Sequence, residues 1–279
     1  MNLRKVLYVV IVIVCLWSIF IGVYDQVNKK AKKANTVVEK EVPTTVTPNP
    51  EKTQSQEDLI KEFDKMFTDT VVFGQYDLTN LKKIDQQKDV VYTYSAQLKK
   101  EMYELDVNFP IINIQWDTAQ EIYKESKAEF IDPANEIIQN ATQQTIYTVS
   151  YTGYVNGDIL SIVIKSTFKE EGKAQKIQVK TYNINLATGK IATIEDLLKI
   201  RQIDRESVSN KITETISASI RETSRIQELG YEVYTRDLNN SIYNIDNLDA
   251  AFLDKDGALY IVFAYGNTDL TSEMDIVKL

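Results

Sequence analysis

The side chains that most often carry enzymatic chemistry are scarce in this chain. Among its 279 residues there is no histidine and one cysteine, Cys15, which falls inside an apolar N-terminal run. Ser-His-Asp and Cys-His arrangements, His-ligated zinc and intrachain disulfides are therefore excluded. No G-x-x-x-x-G-K-[S/T] or G-x-G-x-x-G stretch occurs, so neither of those phosphate cradles is available. Asp254-x-Asp256-Gly257 has the look of a calcium loop. Setting Gly257 at the sixth loop position, however, puts Phe252 and Phe263 where the first and last carboxylates belong, and a hairpin turn is expected instead. Paired carboxylates are the chemistry that remains. Glu170-Glu171 and Glu195-Asp196 are neighbours in sequence, which does not place them across a cleft, and a turn and the first turn of a helix account for them. The sequence nominates no catalytic, cofactor-binding or metal-ligating residue. A binding domain without catalysis is expected, although chemistry by carboxylates, Ser, Lys or Tyr stays open.

The elements that would position any site centre on residues 146–198. Three apolar-rich runs are separated by Asn156-Gly157, by Glu170-Glu171-Gly172 and by Thr188-Gly189. Asn-Gly between alternating strands predicts a tight hairpin of type I′. Tyr147, Val149, Tyr151, Gly153 and Val155 share one face of the first strand, and Leu160, Ile162, Ile164 and Phe168 share one face of the second. This period of two predicts an antiparallel meander with one face buried and one wetted. In the third strand the apolar phase changes between Ile177/Val179 and Tyr182/Ile184/Leu186, which predicts a β-bulge near Lys180-Thr181.

This block carries a family resemblance. Asn183 to Asn185 ending a strand, the turn Thr188-Gly189-Lys190, and the helix start Asp196-Leu197-Leu198 resemble the RsiV-like extracytoplasmic domain. That domain is shared by RsiV-type anti-sigma factors and by the non-catalytic region of PdaC-type peptidoglycan deacetylases. Phe109-Pro110 before a long amphipathic helix, and a last hairpin over residues 254–265, fit the same pattern, which covers roughly residue 90 to the C-terminus. Many members carry a Gly-Gly-Ala-His-Gly stretch where this chain has Glu170-Glu171-Gly172-Lys173-Ala174, so no role of that His carries over.

Around the meander, Ser55 caps a short helix running to Phe67, and residues 90–94 and 103–109 alternate as strands. Residues 116–140 are mostly helical, with a restart at Asp132-Pro133 as N-cap and N1. Thr193 caps a short helix to Ile200. A longer helix from Asp204 to Leu229 stops at Gly230, with Val208, Ile212, Ile216 and Ile220 on one stripe and Ile226 continuing nearby. A hairpin over 250–265 and an edge strand over 274–279 complete an α+β domain. Its sheet is expected to be mainly antiparallel, with the 116–140 and 204–229 helices packed on one face.

Upstream, residues 6–24 form an apolar run long enough to span a bilayer, preceded by a tail over 1–5 and followed by a Pro/Lys/Thr-rich linker over 25–56. No small-residue cleavage site follows the run, so a transmembrane anchor is expected ahead of the domain at 57–279. Lys29, Lys30, Lys32 and Lys33 beyond the run outnumber Arg4 and Lys5 before it, so charge alone does not set the orientation. The resemblance implies a single-pass protein of the cell membrane with its C-terminal domain outside. The linker is a spacer, or, as the resemblance implies, a target of regulated proteolysis.

Charge bears on partners. The first fifty residues hold 7 of the 32 basic and 3 of the 40 acidic side chains, which leaves a net of -12 for the remainder. Such a domain repels nucleic acid and attracts cationic proteins. The resemblance implies a binding or sensing domain of the cell envelope with lysozyme or another cationic envelope-active protein as ligand. The alternative is an accessory or peptidoglycan-modifying envelope protein, and a third is a cytoplasmic tethered domain if the topology is reversed. The tail of residues 1–5 is too short for a sigma-factor-binding module, so a sigma factor is not an expected partner. Nine tyrosines, at 147, 151, 154, 182, 231, 234, 243, 260 and 265, are candidates for a recognition surface.

Overall fold

The structure is a computed structural model that describes residues 54–279. The anchor, the tail and most of the linker lie outside the described residues. Among the described residues no helix is long and apolar enough to cross a membrane.

Two sheets and two helical layers make an α+β domain. The elements in order are α1 (Gln56–Asp64), β1 (Thr70–Val72), β2 (Val91–Lys99), β3 (Tyr103–Ile112), α2 (Asp117–Phe130), α3 (Asp132–Asn140), β4 (Thr145–Asn156), β5 (Ile159–Glu170), β6 (Lys176–Asn185), β7 (Lys190–Ile191), α4 (Ile194–Arg201), α5 (Arg205–Glu228), β8 (Ala251–Leu253), β9 (Leu259–Ala264) and β10 (Met274–Lys278). The large sheet runs β2-β3-β4-β5-β6-β7, and the small one β10-β9-β8.

The meander β4-β5-β6-β7 is antiparallel throughout, but the sheet is mixed. β3 pairs parallel to the first half of β4, and β1 pairs parallel to its second half. The α2-α3 crossover between β3 and β4 is the connection that parallel neighbours require. Gly153 lies where β1 joins. A Cβ there would come within 2.6 Å of the Ser161 carbonyl, so only glycine lets the backbones approach.

Both faces of the large sheet are covered, which corrects the expectation of one wet face. Leu160, Ile162 and Ile164 meet Ile122, Phe130 and Ile137 of the α2-α3 layer. On the opposite face Tyr154, Val163 and Val179 meet Phe252, Tyr260, Val262 and Ile276 of the small sheet. The small sheet's other face, with Leu253, Ile261 and Val277, holds Val208, Ile212 and Ile216 of α5. The order is therefore helices, large sheet, small sheet, helix. The long helix does not pack on the meander's apolar face as expected. Its stripe matches the small sheet.

The same layering removes the expected bulge. The β5–β6 register is unbroken from Ile159↔Asn185 to Phe168↔Lys176. Val179 and Tyr182 lie on opposite faces because each serves a different core, so the phase change marks a change of layer and no extra residue. The first hairpin also differs in detail. Asn156 pairs with Ile159, leaving Gly157-Asp158 as the loop, and only Gly157 has positive φ, at 55°. Positive φ at the first central residue alone is the signature of type II′, not I′. At the α2-α3 restart the N-cap is Ile131, with Asp132 inside the helix.

The residues behind the resemblance have structural work here. Asn183 accepts from the Ser161 hydroxyl (2.6 Å) and donates to the Ala251 carbonyl (2.9 Å), tying the two sheets together. Asn185 Oδ1 accepts from the backbone N–H of Ala187 and Thr188, and Thr193 with Asp196 forms a capping box on α4.

α1 closes the small sheet's edge. Ser55 accepts from Asp58 N–H at its N-terminus, and Leu59 and Phe63, one turn apart, enter the inter-sheet core. The Gln56 side-chain amide both donates to and accepts from Ile276 of β10, each at 2.8 Å, standing in for a strand partner. Glu62 accepts from Lys278 and from Tyr260, 2.8 Å each, and the Lys278 contact above all holds its carboxyl down to about 2.

Candidate functional site

Three polar constellations stand out among the described residues. One lies along the free edge of β6. Among the described residues its first half has no strand partner on that side, and other groups cover it. The Asn267 side-chain amide accepts from Val179 N–H (3.0 Å) and donates to Val179 C=O (2.8 Å). Ile177 N–H donates to Thr271 C=O, Thr181 N–H to Asp249 C=O, and Ala192 N–H to Asn183 C=O. With its edge blocked the strand is a poor template for strand addition, and recognition there falls to side chains.

A groove of about 640 Å³ follows this edge, with Glu125 of α2 on one wall and the start of α4, Arg205 and the 245–249 segment on the other. Lys180 Nζ lies 2.5 Å from Glu125 and 3.4 Å from Glu129. Burial pulls the lysine's pKa down, but these two carboxylates outweigh it and the net direction is upward. Arg205 repeats the pattern with Glu195 and, at 2.8 Å, Asp246. Asp249 also lines the groove, so four lining acids stand against two cations, and Glu129 beside Lys180 adds a further negative charge. Tyr182 also lines the groove. It is 6 % exposed, and its hydroxyl is enclosed with no hydrogen-bond partner among the described residues. Burial, then the Glu125 and Glu129 charges, push its pKa up, so it stays a neutral phenol.

The second constellation is the most buried. Arg236 donates from Nε to Asp275 Oδ2 (2.5 Å), from Nη2 to Glu273 (3.2 Å) and from Nη1 to Thr223 (2.9 Å). Tyr265 donates to Asp275 (2.5 Å) and shares a hydroxyl contact of 2.8 Å with Tyr243, while Ser219 donates to the other Asp275 oxygen (2.8 Å). Burial first and the Asp275 charge second raise the Tyr265 pKa, and burial pushes Tyr243 up to about 12. Ser219 and Thr223 continue the buried face of α5 past Ile216, Ile220 packs half-buried against the same core as the sequence suggested, and Ile226 is half-buried. Asp275 is fully engaged, so this network anchors the 231–240 segment to the small sheet.

The third lies where β3 leaves β4 and β1 takes its place. Asp69, with φ 53°, donates its N–H to Tyr151 C=O (2.8 Å) and accepts from Tyr151 N–H (3.2 Å), filling the fork. The Thr93 and Tyr151 hydroxyls are 2.8 Å apart beside a cavity of about 560 Å³. Burial raises the Asp69 carboxyl. Its hydrogen bonds continue the ladder, which is a structural task.

The acidic neighbours singled out in the sequence do not face each other across a cleft. Glu170 pairs with Lys173 at 2.7 Å in its turn, Glu195 pairs with Arg205, and Asp196 caps α4. Asp254 accepts from the backbone N–H of Asp256 and Ala258, organising the last hairpin. No group of three or more Asp, Glu, Cys or His side chains placed to hold a metal occurs among the described residues. The tyrosine surface does not form either. Tyr147, Tyr151, Tyr154, Tyr182, Tyr243, Tyr260 and Tyr265 are buried, Tyr234 is half-buried, and of the nine only Tyr231 is exposed. Arg236 with Asp275, and Lys180 with Glu125, are separated by 39 and 55 residues, and no local signal joins them.

No family model and no curated protein matches the chain. Among solved structures, a DUF3298 family protein from Pseudomonas aeruginosa PAO1 is similar over 67% of this chain and 88% of its own, at 10% identity and a TM-score of 0.42. A member of the DUF3298 family from Bacteroides fragilis NCTC 9343 is similar over 68% of this chain and 90% of its own, at 14% identity and a TM-score of 0.35.

Proposed function

We propose that the chain is a membrane-tethered, outward-facing domain of the cell envelope that binds a cationic envelope-active protein, with lysozyme the first ligand to test. The reading is RsiV-like, after the motif resemblance around Asn183–Lys190, and the apolar run at residues 6–24 supplies the tether. One observation carries the binding half: the net charge of -12 beyond residue 50. A surface of that sign steers cationic partners inward and disfavours acidic ones.

Titrating the purified full-length chain with lysozyme tests it. Attraction between exposed charges is screened beyond about 8–10 Å at physiological ionic strength, so the affinity should fall about tenfold or more between low and high salt. A neutral protein of similar size should not bind at either. Absence of lysozyme binding at low salt removes that ligand, and release of acetate or glycan fragments from muropeptides by the same preparation replaces binding with catalysis.

A further inference from the structure

We propose that the groove along β6 receives a basic side chain of the partner, preferentially an arginine, which takes the seat between Glu125 and Glu129 that Lys180 fills in the unbound chain and gains the Tyr182 hydroxyl as a further contact. The inference rests on the reading of the domain as a binder of cationic proteins and adds where and how the cation is recognised.

Two independent observations meet at this place. The first is charge. Each cation in the groove is already shared by two carboxylates, Lys180 by Glu125 and Glu129 and Arg205 by Glu195 and Asp246, and the groove remains negative with Asp249 added. The second is the Tyr182 hydroxyl, enclosed and without a partner among the described residues, where Tyr151, Tyr243, Tyr260 and Tyr265 each have one. A buried polar group left unpaired is destabilising, so its presence calls for an explanation, and a ligand that completes it is one. Lys180 Nζ lies 5.9 Å from the Tyr182 ring centroid, so the lysine neutralises the acids yet leaves the hydroxyl unused.

An ammonium and a guanidinium differ in what they can do in this seat. Lysine brings a compact point charge with three donors. Arginine brings five N–H groups in a planar fork, enough to span two carboxylates and a hydroxyl together. Lys180 is one-quarter exposed and Glu125 about half exposed, so the lysine head can swing into solvent without opening the core. Lys180 thus acts as an internal competitor that keeps the site satisfied until a partner arrives.

The test uses the full-length chain and fluorescein-labelled nona-arginine, with nona-lysine beside it, followed by anisotropy. The double variant Glu125→Gln/Glu129→Gln should weaken nona-arginine binding about tenfold. Glu214→Gln/Glu228→Gln on α5 removes the same charge elsewhere and should cost less than about twofold. Lys180→Gln should strengthen binding several-fold, and Tyr182→Phe should narrow the preference for arginine over lysine. Thermal melts of each variant separate lost binding from lost folding, and the conservative Tyr182→Phe serves if the double variant melts early. Equal losses from the two double variants, or no gain with Lys180→Gln, overturn the assigned seat while wild-type binding still supports a cation-binding domain. Wild-type chain that binds neither peptide nor lysozyme overturns both.

Discussion

Ile162→Asp is expected to leave the domain unfolded at room temperature. Ile162 is 1 % exposed at the centre of β5, opposite Gly153 of β4 and Tyr182 of β6, beneath the α2-α3 layer. An aspartate there would set a carboxylate among the apolar side chains of this core. Loss of the apolar burial costs about 2–3 kcal/mol, and an unpaired carboxylate adds several more. Against a typical domain stability of about 5–15 kcal/mol, the sum removes most or all of the margin. Ile162→Val, which only trims a methylene, should cost about 1 kcal/mol and serves as the control. Circular dichroism melts read both. An Ile162→Asp protein that melts with the wild type would mean that this face of β5 is not the buried one.

Asp275→Ala carries the second-largest expected effect, about 3–5 kcal/mol, because it strands a charge. Asp275 is 2 % exposed and Arg236 has a side chain only 6 % exposed. Removing the carboxylate leaves the guanidinium with Glu273, 3.2 Å away, as its one acidic partner among the described residues and takes the acceptor from Tyr265 and Ser219. Replacing both members by apolar residues of similar size, Arg236→Met with Asp275→Leu, should recover much of that loss, since desolvation of two ions is then avoided. Urea midpoints at constant m-value measure the difference. Single variants within about 0.5 kcal/mol of wild type would show that solvent already reaches the pair.

Local features of this fold were legible in the sequence, and relations between layers were not. Ser55, Thr193 and Asp204 cap helices where their residue types place them, and Gly230 follows the end of α5 with φ 87°. The meander and the last hairpin lie where alternation and turn residues put them. Alternation reports which side chains are buried but not against what, so Val179 and Tyr182 suggested a bulge although they face two different cores. The parallel pairing of β3 with β4 did have a signal, since strand, helix and strand in succession imply a crossover. The candidate groove had none. Glu125, Lys180 and Arg205 come from three elements brought together only by folding, and nothing in the sequence marks the Tyr182 hydroxyl as lacking the partner that those of Tyr147, Tyr151, Tyr243, Tyr260 and Tyr265 have.

The central claim, a binding domain displayed outside the membrane, is tested most directly by fusing alkaline phosphatase after Leu279 and assaying intact cells. The account predicts an active fusion and release of the domain by added protease cutting within residues 25–56. An inactive fusion, with the domain protected until the cells are lysed, would place it on the inner side and contradict the account.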